Sequence, residues 1–127
     1  MTGYVAAALG GALGALARWS VADALPSPAG SWPWATLLVN LTGCALIGGL
    51  LAVLLARRPD SRWLRPFLAT GVLGGYTTFS TFAVETVQLA EAGAVALAVG
   101  YVLVSVVGGV LAVVAGLTAG RAVVGRP

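Results

Sequence analysis

Polar residues interrupt the apolar segments of this chain at only a few places. The densest is Gly71-Val72-Leu73-Gly74-Gly75-Tyr76-Thr77-Thr78-Phe79-Ser80-Thr81-Phe82, which sets glycines, hydroxyls and aromatics inside a stretch long enough to cross a membrane. The pairs Gly74-Gly75 and Thr77-Thr78 weaken a helix, and any backbone group they release must find a partner within the protein, because hydrocarbon supplies none. A break at membrane depth therefore marks a site. Asn40, in Thr36-Leu37-Leu38-Val39-Asn40-Leu41-Thr42-Gly43, brings two amide donors and an acceptor to apolar neighbours. Glu85 follows Phe79 and Phe82 at successive i+3 steps, which puts the three on one side of a helix, and a carboxylate there must be protonated, paired or wet. Tyr101, Ser105 and Gly109 recur at i, i+4, i+8 and present two hydroxyls and a gap on one face. Arg18 carries a charge that would cost about 2.5–3.5 kcal/mol at the centre of a helix in lipid, so it faces a partner or water, or reaches the interface.

Singly, each of these residues has a packing explanation. Together they set hydrogen-bond donors and aromatic edges on several segments where acceptors are scarce, which suits the desolvation of a small anion. Amide N–H, hydroxyl and the positive edge of an aromatic ring replace part of the water that a compact anion sheds in a narrow pore. Weak donors also hold such an ion less firmly than a full positive charge would, so it can leave. These residues alone do not fix the identity of the anion.

The elements that must hold this constellation follow from composition. The chain has 127 residues, 59% of them hydrophobic and 9% charged, with no histidine; a soluble domain carries roughly 25% charged residues. It divides into four apolar spans near 3–25, 33–56, 66–90 and 93–120, each about long enough to cross a bilayer. This predicts an all-α integral membrane domain, single over 1–127, with a broken third helix and short links that make successive helices antiparallel neighbours. It leaves no room for an extramembrane catalytic domain. The run before Ala15-Leu16-Ala17 lacks the preceding basic residues of a signal peptide and reads as the first helix. Cys44 has no partner for a disulfide or a metal site and reads as a small packing residue. Small residues at Gly10 and Gly14, and at Gly108, Ala112, Gly116 and Gly120, form stripes for close helix contact. Trp19, Trp32, Trp34 and Trp63 fall near span ends as interface anchors.

The basic excess does not point to nucleic acid. All seven basic residues are arginines, and six of them, Arg57, Arg58, Arg62, Arg65, Arg121 and Arg126, flank spans at what must be one membrane face. That asymmetry predicts both termini on the cytoplasmic side.

The Gly71–Phe82 segment with Glu85, the Val39–Gly43 stretch and Gly-Gly-Ala-Leu-Gly-Ala-Leu-Ala-Arg at Gly10–Arg18 together resemble the CrcB/Fluc family of fluoride channels, and the resemblance covers all four spans. It implies an antiparallel dimer with two pores in the plasma membrane, giving passive export of fluoride. By the same resemblance Phe79 and Phe82 present ring edges to the ion and Asn40 donates to it. Tyr101 and Ser105 line the route on the fourth helix, with Thr36 and Glu85 also on the pathway. Gly74 and Thr77 match positions whose carbonyl oxygens hold a structural, untransported sodium ion, and Arg18 matches the family's first-helix arginine, in a vestibule or structural place. Gly109 departs from the family, many of whose members carry a serine there. The arginine bias also leaves two partners open, a second copy of this chain or a related subunit inserted the other way.

Two other classes fit less well. A small multidrug-type exporter wants a carboxylate within the first helix, where this chain has Arg18 and only a late Asp23. A non-transporting assembly subunit needs polar helix contacts but no polar track. An enzyme is disfavoured by the lack of histidine, cysteine pair or carboxylate dyad.

Overall fold

The computed structural model describes residues 2–58 and 61–125, so Arg126 and the Pro59-Asp60 part of the arginine-rich link lie outside the described residues. Four helical spans, Thr2–Ala24, Trp34–Arg57, Pro66–Glu91 and Val95–Val124, are each long and apolar enough to cross a membrane. Local chemistry sets their ends. The first stops short of Pro26 and Pro28, the second starts immediately after Pro33, and the third opens with Pro66 at its first position, where a missing N–H costs nothing. The reversal into the fourth is tight. Gly93, at φ 77°, donates to the Ala90 carbonyl while Ala94 donates to that of Leu89, the paired bonds of a Schellman termination that only a left-handed residue completes without strain.

The third span is broken, as its glycines and threonines predict. Its first part, Pro66–Leu73, is π-helical and passes into one α turn, Gly74–Tyr76. Thr77 then turns extended (φ −81°, ψ 161°), and an α-helix restarts at Ser80 and runs to Glu91. The fourth helix runs past the expected end at 120, to Val124. Gly120 does not stop it because its missing Cβ serves packing: a methyl group there would press on the Gly49 carbonyl and the Ala52 side chain.

Spans alternate in direction, yet the large interfaces do not join successive spans. They join the first with the third and the second with the fourth, which corrects the expectation of sequential neighbours. The cause is glycine against backbone. A Cβ at Gly10 would overlap the Phe67 carbonyl and one at Gly14 the Val72 carbonyl, while one at Gly75 would overlap the Gly11 carbonyl. Gly48 meets the Val113 carbonyl and Gly116 that of Ala45 in the same manner, so each pair runs parallel at the closest approach backbones permit. Both small-residue stripes read from the sequence thus lie in helix interfaces. The fully buried residues are few, with Val39 and Tyr101 the bulkiest, and long rows of Leu and Val face outward as lipid would require. Trp19, Trp34 and Trp63 are exposed at span ends, but Trp32 turns inward onto a cluster of Leu37, Leu89, Ala98 and Tyr101.

The arginine-bearing ends come together. Arg57 donates to the Val123 carbonyl at 3.3 Å, and Gly3 lies beside the Arg62 carbonyl and Pro66, so the start of the first helix, the arginine-rich link and the end of the fourth share one face.

Gly14→Ala should lower the melting temperature of the detergent-purified protein by several degrees, because its methyl group meets a carbonyl that cannot move. Gly11→Ala, with open space at its Cβ, should stay within about 1 kcal/mol of wild type. Equal effects of the two in a thermal melt would contradict the interlock.

Candidate functional site

At the break the chain replaces helical hydrogen bonds by side-chain ones. The Thr78 N–H, which in an unbroken helix would serve the Gly74 carbonyl, donates to Asn40 Oδ1 at 2.8 Å, and Asn40 Nδ2 donates to the Thr78 carbonyl at 2.9 Å. Asn40 therefore pairs with Thr78 as a neighbouring strand would. One residue group further, the Thr81 N–H donates to Thr78 Oγ1 at 3.2 Å, so Thr78 caps the helix that restarts at Ser80. The Thr77 N–H and hydroxyl both return to the Leu73 carbonyl, each at 3.0 Å. Gly43 makes the fit possible, since a Cβ there would overlap Thr77 Cγ2. The carbonyls of Gly74 and Thr77 are among those that lose their α-helical donors in this arrangement, the Thr78 and Thr81 N–H groups having gone to side chains.

One turn deeper, three expected residues meet. Thr36 Oγ1 donates to Glu85 Oε1 and the Tyr101 hydroxyl donates to Glu85 Oε2, both at 2.8 Å. The carboxylate is the hub, and second, third and fourth spans each contribute one group. Phe82 closes the cluster from the break side, its ring 5.2 Å from that of Tyr101. Phe79 lies 5.8 Å from Phe82 and is 79% exposed on the single protomer.

Three hollows adjoin this cluster. One of ≈ 380 Å³ is bounded by Asn40, Phe79, Phe82 and Ser105 together with Gly74 and Thr77. Ser105 Oγ is buried without a hydrogen-bond partner among the described residues. A second, of ≈ 250 Å³, brings Arg18 beside Thr36, Thr78 and Thr81. The third, of ≈ 390 Å³, lies under the loop Ser27–Pro33 and is floored by Glu85 and Gln88. Gly109 lies near Cys44 Sγ, so the gap on the fourth helix is partly filled by that thiol. The sequence marks Thr78 only as a helix-weakening residue, and it assigns no place at the site to Thr78 or Thr81. Their signal was the hydroxyl run of the broken segment, whose spacing permits one threonine to cap the helix that contains the other.

A family model described as CrcB-like protein, Camphor Resistance (CrcB), matches residues 5–117. The chain is 51% identical over 119 residues to a fluoride-specific ion channel FluC of Bordetella petrii, covering 94% of this chain and 91% of that one. It is 52% identical over 118 residues to a protein of the same name from Paracoccus denitrificans, covering 93% and 94% of the two chains. With the fluoride-specific ion channel FluC 2 of Nocardia farcinica the identity is 45% over 117 residues, covering 92% and 84%.

Asn40→Leu strands both backbone groups of Thr78 and should cost about 1–3 kcal/mol of stability. The check is a thermal melt in detergent, and an unchanged melting temperature would show that the break stands without Asn40.

Proposed function

The chain belongs to the CrcB-like family, and from that membership we infer that it is a fluoride-selective ion channel, a multi-pass protein of the cell membrane through which cytoplasmic fluoride leaves passively. Fluoride enters a cell as neutral HF, ionises at cytoplasmic pH and is trapped. A negative-inside potential then drives the anion outward, at about 2.3 kcal/mol per charge for each 100 mV, and no other energy source is needed. No covalent bond is made or broken, so the protein is not an enzyme.

The observation that carries the reading at the level of chemistry is the unpartnered Ser105 hydroxyl, buried at the edge of a hollow shared with Asn40, Phe79 and Phe82. From there the route passes the Phe82 and Tyr101 rings to Glu85. Thr36 and Tyr101 hold their hydroxyl protons toward the carboxylate, and a fluoride arriving beside them accepts the same O–H groups in its place. Phe79 and Phe82 offer ring edges, the positive rim of the quadrupole. Asn40 keeps one amide hydrogen free after serving Thr78. Arg18, beside Thr36 and Thr81, draws anions toward the hollow it lines.

The dimer belongs to the same proposal. Gly74, Phe79 and Ser80 are exposed on a single protomer, and a second, antiparallel one covers them and completes the wall of each pore. The partner is a second copy or a related subunit of opposite orientation, since the arginines of this chain gather at one face. A structural sodium ion fits the break: the two carbonyls that the resemblance assigns to it, Gly74 and Thr77, are those whose helical N–H donors go to Asn40 and Thr78 instead. Hard carbonyl oxygens suit a hard cation. When bound it would supply positive charge to oxygens that hydrocarbon leaves unsatisfied.

Liposomes loaded with fluoride or chloride and polarised with a potassium ionophore should release fluoride quickly and chloride negligibly, read by ion-selective electrodes; equal release rejects the assignment. Phe82→Ile keeps apolar bulk and removes the ring edge, and Asn40→Asp sets a negative charge on the route, so each should cut fluoride efflux at least ten-fold in folded protein. If the sodium site exists, the dimer's melting temperature should rise with sodium and much less with potassium or a large organic cation. Indifference to the cation removes the site.

A further inference from the structure

Among the described residues, two buried side-chain polar atoms have no hydrogen-bond partner, Ser105 Oγ and Trp32 Nε1, and both residues adjoin Tyr101. Ser105 stands one helical turn beyond Tyr101 on the same helix and already belongs to the proposed route. Trp32 meets Tyr101 from the lead into the second span, edge-on, with ring centroids 5.9 Å apart and planes at 77°. An indole near a span end ordinarily turns its N–H to headgroups or water. Trp19, Trp34 and Trp63 are exposed and free to do so, at 64%, 56% and 58%. Trp32 is not. It packs with Leu37, Leu89, Ala98 and Tyr101, and the far edge of its six-membered ring lies over Gly100.

A donor withdrawn from water and given no acceptor is an unusual thing to keep inside a membrane protein. Its surroundings name the missing acceptor. Tyr101, on which the indole rests, gives its hydroxyl to Glu85. Ser31 and Pro33, the chain neighbours of Trp32, bound the hollow that Glu85 and Gln88 floor. The indole nitrogen is a donor only, carries no charge and cannot lose its proton at any physiological pH. It therefore donates to a passing anion without trapping it.

We propose that the Trp32 indole N–H is a further anion-binding donor of the route, engaging fluoride beside Tyr101 as the ion passes between the Glu85 cluster and the hollow under Ser27–Pro33. The assignment rests on the fluoride-channel reading. It makes Trp32 a part of the conduction path in place of an interface anchor, and it extends the donor line Ser105, Tyr101 by one group toward the loop end of the bundle.

The test pairs flux with spectroscopy on the full-length protein. Trp32→Phe keeps an aromatic ring against Tyr101 and deletes the N–H; it should lower fluoride efflux from liposomes at least ten-fold while the melting temperature holds or rises, because an unpartnered donor has been removed. Replacement by 3-benzothienylalanine, which keeps the indole outline with sulfur in place of N–H, should do the same and covers the case in which Phe packs poorly. In ¹⁵N-tryptophan-labelled protein, the indole resonance that Trp32→Phe abolishes should shift on adding sodium fluoride and stay still with sodium chloride. Efflux within two-fold of wild type in both variants overturns the assignment, and so does an indole resonance indifferent to fluoride, which would reduce any loss of flux to packing. A wild-type protein that releases no fluoride overturns the channel reading itself, a failure separate from either of these.

Discussion

An interrupted backbone in hydrocarbon has no solvent to fall back on, and the rest of this molecule is arranged around that constraint. Every peptide group freed between Gly74 and Thr81 has to be met by protein, by a neighbouring subunit or by an ion. Asn40 meets two of them at once, and Thr78 meets a third through its own hydroxyl. What these bonds achieve is less the strength of any one, about 1 kcal/mol by the usual measure, than the fixing of the restart point of the helix. Once Ser80 is fixed, Phe82 and Glu85 follow on the inward face, and Glu85 can collect hydroxyls from two other spans.

Backbone contact between alternate spans supplies the rigidity that such a site requires. The first and third spans, and the second and fourth, touch through glycines with no side chain between them. Side-chain packing can yield by a rotamer change, whereas carbonyl against glycine Cα cannot. The polar groups therefore sit at the seam between two stiff pairs: Thr36, Asn40, Tyr101 and Ser105 on one pair, and the broken segment with Glu85 on the other. An anion route along a seam of this kind needs no moving part to exist.

Much of this was legible from residue types. Four spans, the break, the helix-facing glycines and the polar residues Asn40, Glu85, Tyr101 and Ser105 follow from apolar run length, from glycine beside threonine, and from the cost of a polar group in lipid; Thr36 came with the family resemblance alone. Which residues would bond to which was not legible, because Asn40 and Thr78 are remote in sequence and several donors competed for the same acceptors. Span pairing was misjudged for a related reason. Link length governs direction, but the fit of glycine stripes governs neighbours, and a stripe does not announce its mate. Trp32 shows the limit of positional rules: its place at a span end predicts an interface anchor, and only the packed cluster reveals that its ring turns inward.

The π-helical stretch Pro66–Leu73 carries a consequence of a different kind. A π-helix is wider than an α-helix and holds more residues per turn, so the same eight residues wound as an α-helix would swing everything after them by an angle on the order of 100° about the helix axis. Phe82 and Glu85 would then point away from Tyr101, although no residue that touches the ion had changed. Along Pro66–Leu73 the winding therefore matters more than the side chains: one apolar residue can stand for another, but the π geometry of these eight residues sets the bearing of the rest of the span.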